Sequence, residues 1–398
     1  MAKGKGGFLG HDGLNAPDAP TGVSGTAGDT EVSVSFTSPS DVGGSAITSY
    51  LVTDSTKTHS ATGSSSPVTV TGLTNGTSYT FNVWAINAFG WSVASDASGS
   101  VSPAAPVGLF FGGFRDDDNL EFDTIDEINI ASTGNATDFG DLAEGLRQAG
   151  ACSSATRGLV GGGNAVSSAR VNNIQYVTIA SAGNTTDFGS LLNSTSQLAS
   201  SSNSTRGVWY GGNTGSEVDV IQYVTIASTG NASDFGDLVN GVSRLGAACA
   251  SPTRGLYGGG DPSNQAIEYI TIASTGNSTN FGNLPLNVYG LASCSSSTRG
   301  LFSAGYSGSV QNFIHYVTIA STGNSTDFGD LLAVTVNHAG TSSETRGIFA
   351  GGSNFNGTEY NTIQYVTIAS TGNAADFGDL TAAKESLCAC SDSHGGLQ

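Results

Sequence analysis

Six times along the chain the tripeptide Ile-Ala-Ser recurs, at Ile130, Ile179, Ile226, Ile272, Ile319 and Ile368, in steps of 49, 47, 46, 47 and 49 residues. A spacing this regular means one supersecondary unit, repeated and stacked, because a unit of that size cannot bury its apolar face alone. The surrounding words barely change: YVTIASTGNSTDFGDL at Tyr316–Leu331 has near copies at the other positions. A second marker, Thr-Arg-Gly, places Arg157, Arg206, Arg254, Arg299 and Arg346 between the copies, each running into a Gly-rich word such as LVGGG or LYGGG.

Each period holds four stretches with strand character, RGLVGG, NIQYVTIA, TDFGDL and GACSS. β-branched and aromatic residues fill them, and STGN-type turns, where Gly and Asn tolerate positive φ, part them. Four strands in this length is one blade of a β-propeller. The Gly-rich ends at Gly113, Gly162, Gly212, Gly259, Gly305 and Gly352 count six blades over residues 105–398. The array enters at VGLFFGG without a preceding small-residue strand and finishes on CACSDSHGGLQ. The C-terminal strand is therefore expected to complete the first blade and remove the open edge. The double Gly, the following Tyr and the aromatic beyond it resemble kelch repeats, with Phe188, Phe235, Phe281, Phe328 and Phe377 where those repeats carry Trp.

Residues 16–104 do not share the repeat. Their short alternating segments EVSVSF, ITSYLVT, PVTVTGL and SYTFNVWAIN read as strands of a sandwich. Leu73, Tyr79, Phe81, Val83 and Ala85 resemble the tyrosine-corner region of fibronectin type III domains, with Phe36 where that family usually carries Trp. The expected fold class is all-β: a fibronectin type III-like β-sandwich followed by a six-bladed kelch-like β-propeller. Ahead of both, residues 1–15 carry too few apolar residues for a core.

Acids outnumber bases 32 to 13 for a formal charge of −19, which repels phosphate backbones and argues against nucleic acid as a partner. No apolar stretch is long enough for membrane insertion, and the N-terminus has no signal-peptide core. Cys152, Cys249, Cys294 and Cys390 share one repeat slot and read as small core residues. The blades' wording behind a fibronectin-like module resembles virion structural and fibre-like proteins of tailed phages of marine bacteria. That resemblance implies a place on the virion, with assembly in the host cytoplasm, as a tail fibre, tail-associated or capsid-surface component. The N-terminal tail is expected to anchor it to other virion proteins through Lys3, Lys5, Phe8 and Leu9.

Residues repeated in every blade read as structural. Arg157 and its equivalents are expected to form a repeated ion pair or turn clamp with Asp138, Asp141 and theirs, and the Asn135 and Asn324 sequons to be polar turns. Function is sought where the repeats disagree, after the Gly-rich strand and after FGDL, and all those loops belong on one face of the disc. Tyr289, Tyr306, Asn312, Phe313, Asn354, Phe355 and Tyr360 are the candidate binding residues there, of types suited to a host-surface glycan or protein. Asp116, Asp117 and Asp118 are a weaker Ca²⁺ candidate, so no metal or other cofactor is expected. No nucleophile–base or zinc spacing is present, and the expectation is a non-enzymatic protein. The alternatives are a purely structural decoration protein, or a glycan hydrolase drawing acids such as Glu217, Asp219 and Glu359 from the variable face.

Overall fold

The computed structural model describes residues 15–241, 243–262 and 264–397. The chain divides into two compact units, Met1–Ala105 and Pro106–Gln398. It is all-β: the helical elements among the described residues are two short 3-10 turns, Val166–Ser168 and Gly395–Leu397. No helix among these residues is long and apolar enough to cross a membrane.

In the first unit, alternation puts every second side chain inward. Thr21–Gly28, Glu31–Thr37 and Val68–Thr71 form one sheet; Ser60–Gly63, Ser49–Asp54, Phe81–Asn87 and Gly90–Trp91 form the other. Val32, Val34, Phe36, Tyr50, Val52, Val70, Phe81 and Val83 are buried in one cluster. Phe36 packs 4.7 Å from Tyr50, so its ring fills part of the core. The Tyr79 hydroxyl accepts the Thr74 amide at 3.1 Å, which pins the corner before the strand that begins at Phe81.

The second unit contains six four-stranded antiparallel sheets. In sheet 2 the strands are Gly150–Ser153, Arg157–Gly161, Asn173–Thr178 and Thr186–Ser190. Sheets 3, 4, 5 and 6 repeat this order from Ala199, Ala247, Ala292 and Ala339. Sheet 1 takes three strands from the start of the unit, Val107–Phe111, Thr124–Asn129 and Thr137–Asp141; its fourth is Cys388–Ser391, paired antiparallel to Val107–Phe111. The first strands of sheets 2 to 6 touch in sequence, and Cys388–Ser391 touches those of sheets 6 and 2.

Why the words stay constant follows from the contacts between neighbouring sheets. The Asn of each STGN-type turn accepts, through Oδ1, a backbone amide from the last strand of the preceding sheet. Asn184 takes the Asp141 amide and Asn324 the Asn283 amide, and the sixth such bond runs from Asp379 to Asn135, all at 3.0–3.1 Å. The sequons are thus structural acceptors as well as turns. Cys152 lies against Gly207 of the next sheet, where an added Cβ would stand 2.5 Å from Sγ, so Thr-Arg-Gly must end in glycine. All four repeat-slot cysteines are free and buried.

The arginines do not pair with aspartates, contrary to the ion pair expected from the sequence. Arg157, Arg206, Arg254, Arg299 and Arg346 each lay the guanidinium 4.5–4.9 Å over the Tyr of their own sheet. Each also donates to the Ile carbonyl of the next sheet at 2.7–3.0 Å, the last reaching Ile130. Beneath it the Tyr meets the constant Phe edge-on at 5.7–6.1 Å. Two interactions replace the salt bridge, cation–π and a charge-assisted hydrogen bond, and neither needs an acid.

At the variable-loop end, Gln148, Gln197, Leu245, Gly290, Asn337 and Ser386 all adopt φ of 55–66°. Each amide donates to the carbonyl of its predecessor, and Gln148 to Ser386, so six bonds of 2.7–3.0 Å close a ring. Where sheet 6 meets sheet 1, the Lys384 ammonium lies 3.0 Å from Asp126, both fully buried. Burial pulls the Lys384 pKa down and Asp126 opposes that shift.

Candidate functional site

Aromatic and amide side chains from the variable loops that follow sheet 4 and lie within sheets 5 and 6 come together at one place. The segment after the last strand of sheet 4 carries Tyr289, which pairs with Tyr306 at the end of Arg299–Tyr306 through amide–carbonyl bonds of 3.2 and 2.8 Å. Their rings are 5.4 Å apart. Phe355 enters from the loop after the second strand of sheet 6 and lies 5.4 Å from Tyr306. Its loop is tied by the Asn354 side chain, which accepts the Asn356 amide at 2.9 Å. Phe355 itself holds φ at 61° and remains 47% exposed, so the ring is presented to solvent rather than sunk in a core.

The three rings, with Ser309, Val310, Asn354 and Asn356, line a cleft of about 520 Å³. That is within the size range of a ligand site, and flat apolar faces flanked by amides and hydroxyls suit the mixed surface of a sugar ring. Burial raises the Tyr289 pKa, assisted by Asp261 and Tyr306, so its hydroxyl stays a neutral donor. Beside it, Arg244 joins Asp261 at 2.8 Å, Glu217 at 3.2 Å and the Gln197 amide oxygen at 3.0 Å.

Four of the seven residues singled out in the sequence are therefore neighbours: Tyr289, Tyr306, Asn354 and Phe355. Phe313 instead meets His315 edge-on at 5.3 Å and packs on the core between sheets 4 and 5. Asn312 gives its carbonyl to Leu331, and Tyr360 bonds through its backbone to Gly352 and Lys384. Ser309, Val310 and Asn356 were not singled out; they lie in the same variable loops, which was the available signal. Lys3, Lys5, Phe8 and Leu9 lie outside the described residues.

The acidic candidates are held apart by different partners. Asp118 forms an ion pair with Arg115 at 2.6 Å, and the Asp116 amide donates to Glu359 at 3.0 Å. Glu217 belongs to Arg244, and Asp219 contributes a backbone carbonyl to Leu238. Among the described residues no trio of His, Cys, Asp or Glu is placed to hold a metal.

The first strands of sheets 2 to 6 and Cys388–Ser391 surround a narrow channel with pockets of about 60–100 Å³, lined largely by Ser, Ala, Thr and Cys and, at the variable-loop end, by residues such as Gln148, Gln197, Leu198 and Asn337. At the constant-turn end, His394 bonds Ser202 at 3.2 Å and the following glycines pack on Ser296 and Ser202. Burial pushes the Cys249 and Cys390 thiols to about 12, which leaves them poor nucleophiles. At the other end His338 shares a 2.8 Å hydrogen bond with Ser303, and its Nδ1 has no partner among the described residues.

Compared with curated proteins, the chain matches none. Compared with family models, residues 18–100 match the fibronectin type III domain, which agrees with the two sheets and the Tyr79 corner; that segment is a fibronectin type III domain.

Proposed function

We propose that residues 106–398 form a six-bladed kelch-like β-propeller, and that the protein is a non-enzymatic component displayed on a bacteriophage particle, where it holds a host-surface glycan in the Tyr289–Tyr306–Phe355 cleft. The propeller reading is supported by the cyclic order of the sheets and the ring of hydrogen bonds from Gln148 to Ser386. The glycan reading rests on the cleft itself: three stacked-apart rings, one of them 47% exposed, beside three polar side chains. The virion reading rests on the resemblance of the repeat words.

The test is a glycan array probed with the full-length chain, followed by titration of the best hit against Tyr306→Ala and Phe355→Ala. Each substitution should weaken binding by about tenfold, the equivalent of one lost aromatic contact. Absence of any hit on the array would leave a decoration protein. Turnover of the glycan, lost on changing Glu217, Asp219 or Glu359, would establish the hydrolase instead.

A further inference from the structure

Five of the six sheet junctions hold an arginine in one slot, between the sheet's own Tyr ring and the next sheet's Ile carbonyl. The sixth junction, from sheet 1 to sheet 2, does not. Register places Val107 where Arg157 stands, since Gly108 and Gly158 pair equivalently, and Glu127 where Tyr176 stands, since these face Leu109 and Leu159. A third position changes with them. Ser154 exchanges bonds of 2.9 and 3.2 Å with Arg157, and Asp392 makes the same exchange with Val107 at 3.2 and 2.9 Å.

The three substitutions act in one direction. Arg, Tyr and Ser carry a formal charge of +1 together; Val, Glu and Asp carry −2. The carbonyl at the far side of the slot is that of Ile179, and no donor among the described residues reaches it. Glu127 has no hydrogen-bond or ion-pair partner among them either, although it is half-buried. Burial raises the pKa of Glu127; burial, with a smaller contribution from Glu127, raises that of Asp392 to about 6, and no cation pairs with either carboxyl among the described residues. Val107 packs against the core cluster that includes Ile179, and its side chain has no group that could donate to a carbonyl.

We propose that this junction is an arginine receptor: a guanidinium presented by a partner protein enters between Glu127 and the Ile179 carbonyl, as the chain's own arginines do at the five other junctions. The frame selects guanidinium over ammonium because a carboxylate takes the planar fork in two hydrogen bonds while the carbonyl takes a third. The slot lies at the constant-turn ends of the strands, away from the aromatic cleft, and does not depend on the glycan reading.

The experiment is an NMR titration of the full-length chain with the capped tripeptide Gly-Arg-Gly at low salt, with the Lys and citrulline tripeptides as controls. Saturable shifts at the Glu127 and Ile179 amides are expected with the Arg peptide, and at least fivefold weaker binding with the other two. Glu127→Gln should weaken the Arg peptide about tenfold by removing the charge. The double variant Val107→Arg with Glu127→Tyr copies the other junctions; it should fill its own slot, abolish peptide binding and raise the melting temperature. No saturable shift in the natural chain, equal binding of citrulline, or undiminished binding by the double variant would each overturn the proposal.

Discussion

Arg157 shows how far a repeated residue can be read from sequence. Its recurrence makes a structural role plain but not its partner: Asp138 and Asp141 recur with it, whereas the acceptors are a ring face and the Ile226 carbonyl. A backbone carbonyl leaves no mark in composition, so the sequence favoured the visible acids. The opposite case is His338, which interrupts a slot held by Leu198, Leu291 and Leu387 in other sheets and lines the channel mouth. Burial lowers its pKa to about 3, so folding keeps it neutral while the unfolded chain protonates it near 6.5. Its contribution is complete above that pH and is lost progressively as pH falls toward 3. At roughly 1.4 kcal/mol per pKa unit the loss between pH 6.5 and 4 reaches about 3 kcal/mol. Urea denaturation of His338→Leu, followed through Trp209, should show a shallower fall in stability between pH 7 and 4 than the natural chain; an equal fall would remove His338 from the acid response.

At the scale of the element, the STGN turn and the DFG strand are one device seen from two sheets. The turn glycine donates to the Phe carbonyl of the preceding sheet, as Gly372 does to Phe328 at 2.8 Å, while the turn Asn takes an amide from the same strand. The strand glycine accepts the close approach. Gly329 holds φ at 150°, and a Cβ there would stand 2.4 Å from the Gly372 carbonyl oxygen, which is backbone and cannot yield. Gly323, by contrast, has open space around its added Cβ. Gly329→Ala should therefore cost more than about 2 kcal/mol and Gly323→Ala less than about 1 kcal/mol, measured by chemical denaturation. Equal costs would mean that turn chemistry alone, and not the inter-sheet contact, keeps these words constant. The strands are legible because their patterns repeat; Phe313 reads as a variable-loop residue, but a long third strand, Val310–Thr318, carries it down onto the core between two sheets, a change of environment with no local signal.

For the second unit as a whole, everything turns on its last strand. Repeat arrays with open ends lose stability sheet by sheet, whereas a cyclic array loses one contact on each side when any member is removed. Here the C-terminal segment supplies Ser386 to the hydrogen-bond ring, Cys388–Ser391 to sheet 1 and the Ser391 hydroxyl to the Ser342 carbonyl at 2.5 Å. The segment just before it supplies Lys384 against buried Asp126, an ion pair that would leave an uncompensated charge if the junction opened. Deleting residues 386–398 takes away the sixth ring member and the fourth strand of sheet 1 while leaving the fibronectin type III domain's own cluster around Val34, Val52 and Phe81 complete. Calorimetry of the natural chain should resolve two transitions, and the truncated chain should keep only that of residues 18–100. Trp209, fully buried in sheet 3, reports on the other unit over a constant background from Trp84 and Trp91 of the fibronectin type III domain, and the emission should shift to the red on truncation. If the truncated chain retains both transitions and a buried Trp209, the strand from Cys388 is an ornament on sheet 1, and the six sheets owe their cohesion to the Asn and Arg clamps between neighbours instead.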